Sequence, residues 1–299
     1  MDTLLVTGAL GKIGRWTVEE LAGDYEIVAV DLTEPPRADY ETVEYLAADL
    51  TDQGPTWEIA HRVEPDVVIH LAAVPGADHR ASTETFLTNV ASTYNVLTAA
   101  GEVGAKVVWT SSEATYGVTF GDEARPLDFL PIDETHPQRA EDGYGLSKVV
   151  GEVIAERTVR HYGVPVTSIQ PSWVQIPGRY ETTAVRERFD PDDPTPSGSL
   201  WSYVDVRDVA TMIRRVLETD REGHDAFLAT AADNYLGVRT ADVIEAAWGE
   251  LPVNYSLEGE ESAFSTAKAR AELEWTPAHS WREAERADVV LPRTAREGR

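Results

Sequence analysis

Cysteine is missing from all 299 residues, which excludes disulfides, thiolate metal sites and a thiol nucleophile. Lysine occurs only at positions 12, 106, 148 and 268, and acids outnumber bases by 52 to 26, a net charge of −26. A field of that sign repels nucleic acid and anionic membranes, so neither is an expected partner. No apolar run approaches the ~20 residues that span a bilayer. Met1-Asp2 leads directly into an apolar run, so no signal peptide is expected and the cytoplasm is the expected location. The histidines lack the His-x-x-x-His or carboxylate spacing of a metal site, so no metal is expected. There is no Gly-x-Ser-x-Gly nucleophile elbow.

What remains is a chain long enough for a large core, with a hydrophobic fraction of 42%. Its first thirty residues carry the strongest signal. Leu4 to Val6 reads as a buried parallel strand, broken at Gly8, and an amphipathic segment from Lys12 to Leu21 has helical spacing. A second apolar run, Ile27 to Val30, closes on Asp31. Glycines at 8, 11 and 14 let the backbone turn tightly and approach a pyrophosphate without Cβ clashes. The helix that follows, beginning with Lys12 and Ile13, points unpaired N–H groups at the phosphates. An acid ending the second strand accepts hydrogen bonds from ribose hydroxyls. A P-loop does not fit, because Lys12 lacks the earlier glycine and the following Ser or Thr.

Further along, Val43 to Ala48 reads as a third strand ending at Asp49-Leu50, where the acid either lies near an adenine or is solvated. Pro65 to Ala73 is a fourth strand running into the small residues Leu71-Ala72-Ala73, which permit close passage of a dinucleotide. Ser82 to Val103 has helical spacing and carries Asn89, and Lys106 to Thr110 is a fifth strand ending in Ser111-Ser112. Alternating strands and helices predict an α/β fold, a Rossmann-type doubly wound parallel sheet whose ligands bind at the carboxyl ends of the strands. Val166 to Ile169 is a sixth strand ending at Gln170-Pro171-Ser172-Trp173. The expected division is a dinucleotide domain over 1–171, with 203–225 returning to it. A small substrate cap is expected from 172–202 and 226–299.

Tyr144 and Lys148 open a helix that runs to about Tyr162 and share one face of it. A free phenol, with pKa ~10, is a poor base at neutral pH, but a neighbouring ammonium lowers that value. Tyr144 is therefore a candidate general base, with Ser112 orienting the same substrate oxygen.

Taken together, Gly8, Gly11, Gly14, Asp31, Asp49-Leu50, Leu71-Ala72-Ala73, Asn89, Ser111-Ser112, Tyr116-Gly117, Tyr144 and Lys148 resemble an extended short-chain dehydrogenase/reductase, the NAD-dependent epimerase/dehydratase superfamily. The resemblance implies a catalytic trio of Ser112, Tyr144 and Lys148, the hydroxyl standing four residues before Tyr116. It implies NAD held by Gly8, Gly11, Lys12, Ile13, Gly14, Asp31, Asp49, Leu50, Leu71, Ala72, Ala73, Asn89, Tyr144, Lys148 and Pro171. Asp31 favours NAD over NADP, although Arg37 is a nearby cation. A homo-oligomer, dimer or tetramer, is a further family expectation.

Nucleotide-sugar members usually carry an Arg-Asp pair where Leu200-Trp201 stands here, and an Asn where Ser172-Trp173 stands. The chain looks closer to uronate dehydrogenases and haloarchaeal aldose dehydrogenases. This implies NAD-linked oxidation of a free sugar at C1 to a lactone, with Ser112, Ser172, Trp173, Arg179 and Trp201 as candidate substrate contacts. Arg179 either meets a substrate carboxylate or is a solvated loop arginine. The alternatives are a nucleotide-sugar 4-epimerase or dehydratase with tightly bound NAD, and a non-enzymatic NAD sensor. The intact trio argues against the sensor.

The acids are spread along the chain instead of gathered in a tail, and the composition resembles that of salt-in halophile proteins, where screening offsets self-repulsion. Circular dichroism during dialysis from molar KCl into salt-free buffer should report loss of structure. An unchanged spectrum would remove the halophilic reading.

Overall fold

A computed structural model describes residues 1–35, 40–75, 82–118, 127–191, 194 and 196–293. The chain begins with β1 (Thr3–Thr7), α1 (Lys12–Leu21), β2 (Glu26–Asp31), β3 (Val43–Ala47), α2 (Gln53–Val63) and β4 (Val67–His70). Next are α3 (Ser82–Val103), β5 (Lys106–Thr110), a single 3-10 turn at Glu113–Tyr116, β6 (Phe129–Leu130) and α4 (Gly143–Tyr162). Then follow β7 (Val166–Pro171), β8 (Trp173–Gln175), α5 (Thr182–Arg186), β9 (Tyr203–Asp205), α6 (Val206–Leu217) and β10 (His224–Ala229). The chain closes with α7 (Thr240–Trp248), β11 (Asn254–Tyr255), α8 (Ala267–Leu273) and α9 (Trp281–Ala284).

Seven strands pair in the order β10-β7-β5-β4-β1-β2-β3, all parallel. The central strands are buried on both faces, so their side chains alternate between two cores. Leu4, Val6, Ile69 and Val108 pack beneath α1 and α6, against Val18, Leu21, Val209, Met212 and Ile213. Leu5, Val68, Val107 and Trp109 face the opposite layer, where Val96 and Leu97 of α3 and Ile154 of α4 complete the core. This is the expected doubly wound sheet. Strand order reverses between β1 and β4, which opens a crevice at their carboxyl ends.

The cap has its own core of Tyr116, Ile132, Tyr180, Leu200, Trp201, Tyr203, Tyr235 and Phe264, among others. Its limits differ from those expected. Strand β10, which runs into the start of the expected second cap segment, pairs with β7 as an edge of the large sheet. Ala269, Leu273 and Trp275 also belong to the large core, because α8 packs back beside β10. Conversely, β6 pairs with β11, which draws part of the loop before α4 into the cap. Helix α2 was not foreseen. It buries only Thr56 and Ala60 and leaves Trp57 half exposed, so its apolar stripe is too thin to read, although Asp52 caps it by accepting from the Gly54 N–H. Among the described residues no helix is long and apolar enough to cross a membrane.

His70, ending β4, is 2% exposed, with Nδ1 2.7 Å from the Thr7 hydroxyl and Nε2 3.4 Å from that of Thr93. Burial, reinforced by the charge of Lys148, pushes its pKa down to about 3 from 6.5. Between these values the unfolded chain binds a proton that the folded one does not, so this residue's contribution falls as pH is lowered. Urea titrations across that range should show His70→Asn losing up to about 1.4 kcal/mol per pH unit less than the native chain. Parallel slopes would mean that His70 titrates normally.

Candidate active site

The crevice between β1 and β4 is a cleft of about 510 Å³ that gathers Gly8, Gly11, Asp31, Asp49, Leu50, Leu71, Ala72 and Ala73. Gly8 has φ +69°, and a Cβ there would lie 2.5 Å from the Ala72 nitrogen. A Cβ on Gly14 would lie 2.1 Å from the Gly8 carbonyl oxygen, so that glycine lets α1 approach the loop. Gly11 differs. Its φ of −70° suits any residue, and a Cβ would meet only the Gly8 oxygen, at 3.1 Å. Gly11 is also the N-cap of α1, which has no side-chain cap and no acid in its first turn, so N–H groups there remain open to an anion. Asp31 is fixed by the N–H groups of Leu10 and Leu32, each at 2.8 Å. Asp49 accepts from the Thr51 N–H at 2.9 Å and its hydroxyl at 2.7 Å.

At the carboxyl end of β5, Ser112 begins the 3-10 turn and accepts from the Ala114 N–H at 3.1 Å. Helix α4 is capped by Asp142, which accepts from the Tyr144 and Gly145 N–H groups at 2.8 and 2.9 Å. This sets Tyr144 in the first turn, where a hydrogen bond with Ser112 joins the two. Lys148, one turn on, is buried and donates to the Thr110 carbonyl at 2.7 Å. Its Nζ lies 5.4 Å from the Trp109 ring centre and 5.6 Å from that of Tyr144.

The electrostatics correct one expectation. Tyr144 is not lowered by the ammonium: burial pushes its phenol up to about 12, with Ser112 opposing and Asp142 and Glu113 adding. Lys148 is pushed down to about 8 by burial, against the pull of Glu152.

The cleft and the trio of Ser112, Tyr144 and Lys148 thus both lie at the carboxyl end of the parallel sheet, although the trio is not part of the cleft's lining. The NAD dependent epimerase/dehydratase family matches residues 4–228. The chain belongs to this family. An L-arabinose 1-dehydrogenase (NAD(P)(+)) of Haloferax volcanii is 27% identical over 224 residues, covering 73% of this chain and 83% of that protein. A UDP-glucose 4-epimerase of Streptococcus mutans is 28% identical and covers 92% of this chain and 91% of its own length. The crystal structure of a Thermotoga maritima UDP-glucose 4-epimerase superposes with a TM-score of 0.72 at 21% identity, covering 95% of this chain and 96% of that one. At that identity it supports the fold alone.

NAD is the family's cofactor, and the cleft fits it. The open backbone at Gly11 and the uncapped α1 suit phosphates, and the pre-oriented Asp31 suits a ribose. Other expected contacts are engaged elsewhere. Lys12 crosses to the cap, donating to Glu181 at 2.9 Å and the Val174 carbonyl at 3.2 Å, while Ile13 packs on the core. Asn89 is buried, accepting from the Val74 N–H at 2.8 Å and donating to its carbonyl at 3.1 Å, which pins the loop after β4. Pro171 is buried at the end of β7, and Arg37 lies outside the described residues.

Of the candidate substrate contacts, Ser172 is buried with its hydroxyl turned toward Glu113, and Trp173 is half-buried against the edge of Tyr235. Trp201 departs from expectation: it is 1% exposed, packed inside the cap core. Arg179 is exposed on its loop. One residue was missed. Glu113, directly after Ser112, is 2% exposed beside the trio. Its signal was an acid at the end of an apolar strand, a position where burial makes charge costly.

Gly11→Ala should separate packing from binding. Thermal unfolding should shift by only a few degrees, whereas NAD affinity measured by fluorescence titration should fall by about tenfold or more. An unchanged dissociation constant would mean that no ligand approaches that backbone.

Proposed function

We propose that the chain oxidises a free sugar at C1 to the lactone with NAD, Tyr144 acting as general base. The observation that carries this reading is the state of three arginines in the cap and at its edge. Arg207 donates to both oxygens of Asp205 at 2.8 and 2.9 Å. Arg186 pairs with Glu285 and stacks on Trp281, and Arg282 pairs with Asp233 and Glu260. Leu200 and Trp201, where nucleotide-sugar relatives carry a cation, are buried and apolar. A sugar diphosphate entering so acidic a protein would need guanidinium groups, and Arg186 and Arg282 are already committed to carboxylates, which leaves Arg179 on its exposed loop. A free sugar needs none.

In this mechanism Ser112 holds the C1 hydroxyl oxygen and Tyr144 removes its proton. NAD, when bound, would supply the acceptor for the hydride leaving C1. Asp31 would hold the adenosine ribose, favouring NAD over NADP, and the glycine loop the pyrophosphate. Lys148, beneath Tyr144, supplies the positive charge that stabilises phenolate once it faces the phenol. Ser172 and Trp173 line the sugar. The wider resemblance to UDP-glucose 4-epimerase, over 92% of this chain, supports a second reading in which NAD is reduced and reoxidised within one turnover.

Initial rates of NAD reduction in molar KCl against pentoses, hexoses and uronic acids decide between them. The expected result is strong turnover of one free sugar, rising between neutral and alkaline pH as Tyr144 deprotonates. Tyr144→Phe should lower it by about 10²- to 10⁴-fold while NAD still binds. Silence across the panel with NAD copurifying, or full activity in the Phe variant, would overturn the reading.

A further inference from the structure

Two polar groups meet beyond Ser112: the Glu113 carboxyl, whose Oε2 is buried without a hydrogen-bond partner, and the buried Ser172 hydroxyl. They come from the carboxyl ends of neighbouring strands, β5 and β7, the end of the sheet at which ligands bind. The Ser172 hydroxyl and the Trp173 N–H are turned toward the Glu113 carboxyl, and its charge would be felt at Tyr144 and Tyr235. Folded proteins leave few buried polar atoms unpaired, because each forfeits its bonds to water. Such an unpaired carboxyl oxygen, on the residue next to Ser112, indicates a partner supplied from outside.

We infer that Glu113 is a specificity-determining residue, which with Ser172 holds a hydroxyl of a neutral sugar beside Tyr144. This rests on the sugar-oxidation reading and narrows its substrate class to neutral aldoses. Burial holds the carboxyl well above the ordinary carboxylate range, opposed only by Ser172 and the Trp173 N–H. Among the described residues no cation acts on it. An uncharged acid donates one hydrogen bond and accepts another, which matches the two-way character of a sugar hydroxyl. A uronate would bring a second acidic group into a buried site without a guanidinium, and Arg179, the candidate partner for such a group, is exposed on its loop.

The test compares kcat and KM for neutral aldoses and their matching uronic acids in the native enzyme, Glu113→Gln and Glu113→Ala. NAD affinity and thermal midpoint are recorded for each. Glutamine keeps the shape, one donor and one acceptor, but cannot exchange a proton. The native enzyme should favour the neutral aldose by about tenfold or more in kcat/KM. Glu113→Gln should stay within about threefold of it, and Glu113→Ala should lose about tenfold, mainly through KM, with NAD affinity intact. An alanine variant within about twofold of native would overturn the assignment. A glutamine variant as impaired as alanine would also overturn it, since an ionised carboxylate would then be required. Preference for the uronic acid would overturn it as well. If the alanine variant does not fold, the glutamine variant and the native preference decide. A native enzyme that turns over no free sugar would overturn the sugar-oxidation reading itself, before any variant is made, and this inference with it.

Discussion

The structure depends on how closely three pieces of backbone meet at Gly8. Its N–H donates to the Val30 carbonyl at 2.8 Å, and the Leu71 N–H donates to the Thr7 carbonyl at 3.0 Å. Strands β1, β2 and β4 are thereby joined just beyond their last regular pairs. A side chain at position 8 would collide with Ala72, and one at position 14 with the Gly8 carbonyl, so neither contact survives substitution without movement. The α1 N-terminus, Asp31 and the Leu71–Ala73 turn are aimed into one crevice as a result. The cleft is a consequence of close backbone packing before it is a property of any polar side chain.

Charge is distributed so that the acidic surface does not govern the interior. Most of the acids are solvated, while several buried ones are tied to arginine or backbone N–H groups. Asp205 takes a bidentate bond from Arg207 and caps α6, and Asp208 accepts from the Ala278 and His279 N–H groups, each at 3.1 Å. Such pairs fix the chain segments that cross between the large sheet and the cap.

The sheet, its order and the composition of the cleft were legible because buried parallel strands leave continuous apolar runs and glycine spacing records backbone proximity. Tyr144 and Lys148 were legible because a helix fixes which residues share a face. What the lysine does there was not. Its ammonium is turned to the Thr110 carbonyl over Trp109, an arrangement that depends on which strand lies beneath α4. Trp201 and Arg179 show the same limit from opposite sides: sequence offset set both near the substrate, but packing buries one and exposes the other. The cap boundaries were misjudged because α8 returns to the first core after a long excursion, and no local pattern records that return.

Two buried glutamates show why residue type alone does not set the chemistry. Burial pushes both upward, yet they part in outcome. Glu152 accepts from the Ser168 hydroxyl at 2.6 Å and the Gln170 amide at 3.0 Å, and His224 lies 3.1 Å away. For Glu152 the bonds from His224 and Ser168 outweigh desolvation and hold it below the ordinary range. Its negative charge then helps keep Lys148 protonated against burial. Glu113 has only a serine and one N–H turned toward it, too few to offset desolvation, and its pKa rises. One glutamate is therefore held as a fixed charge beneath Lys148, and the other is pushed toward its neutral form. The difference lies in the number of donors that strands β7 and β10 bring to each.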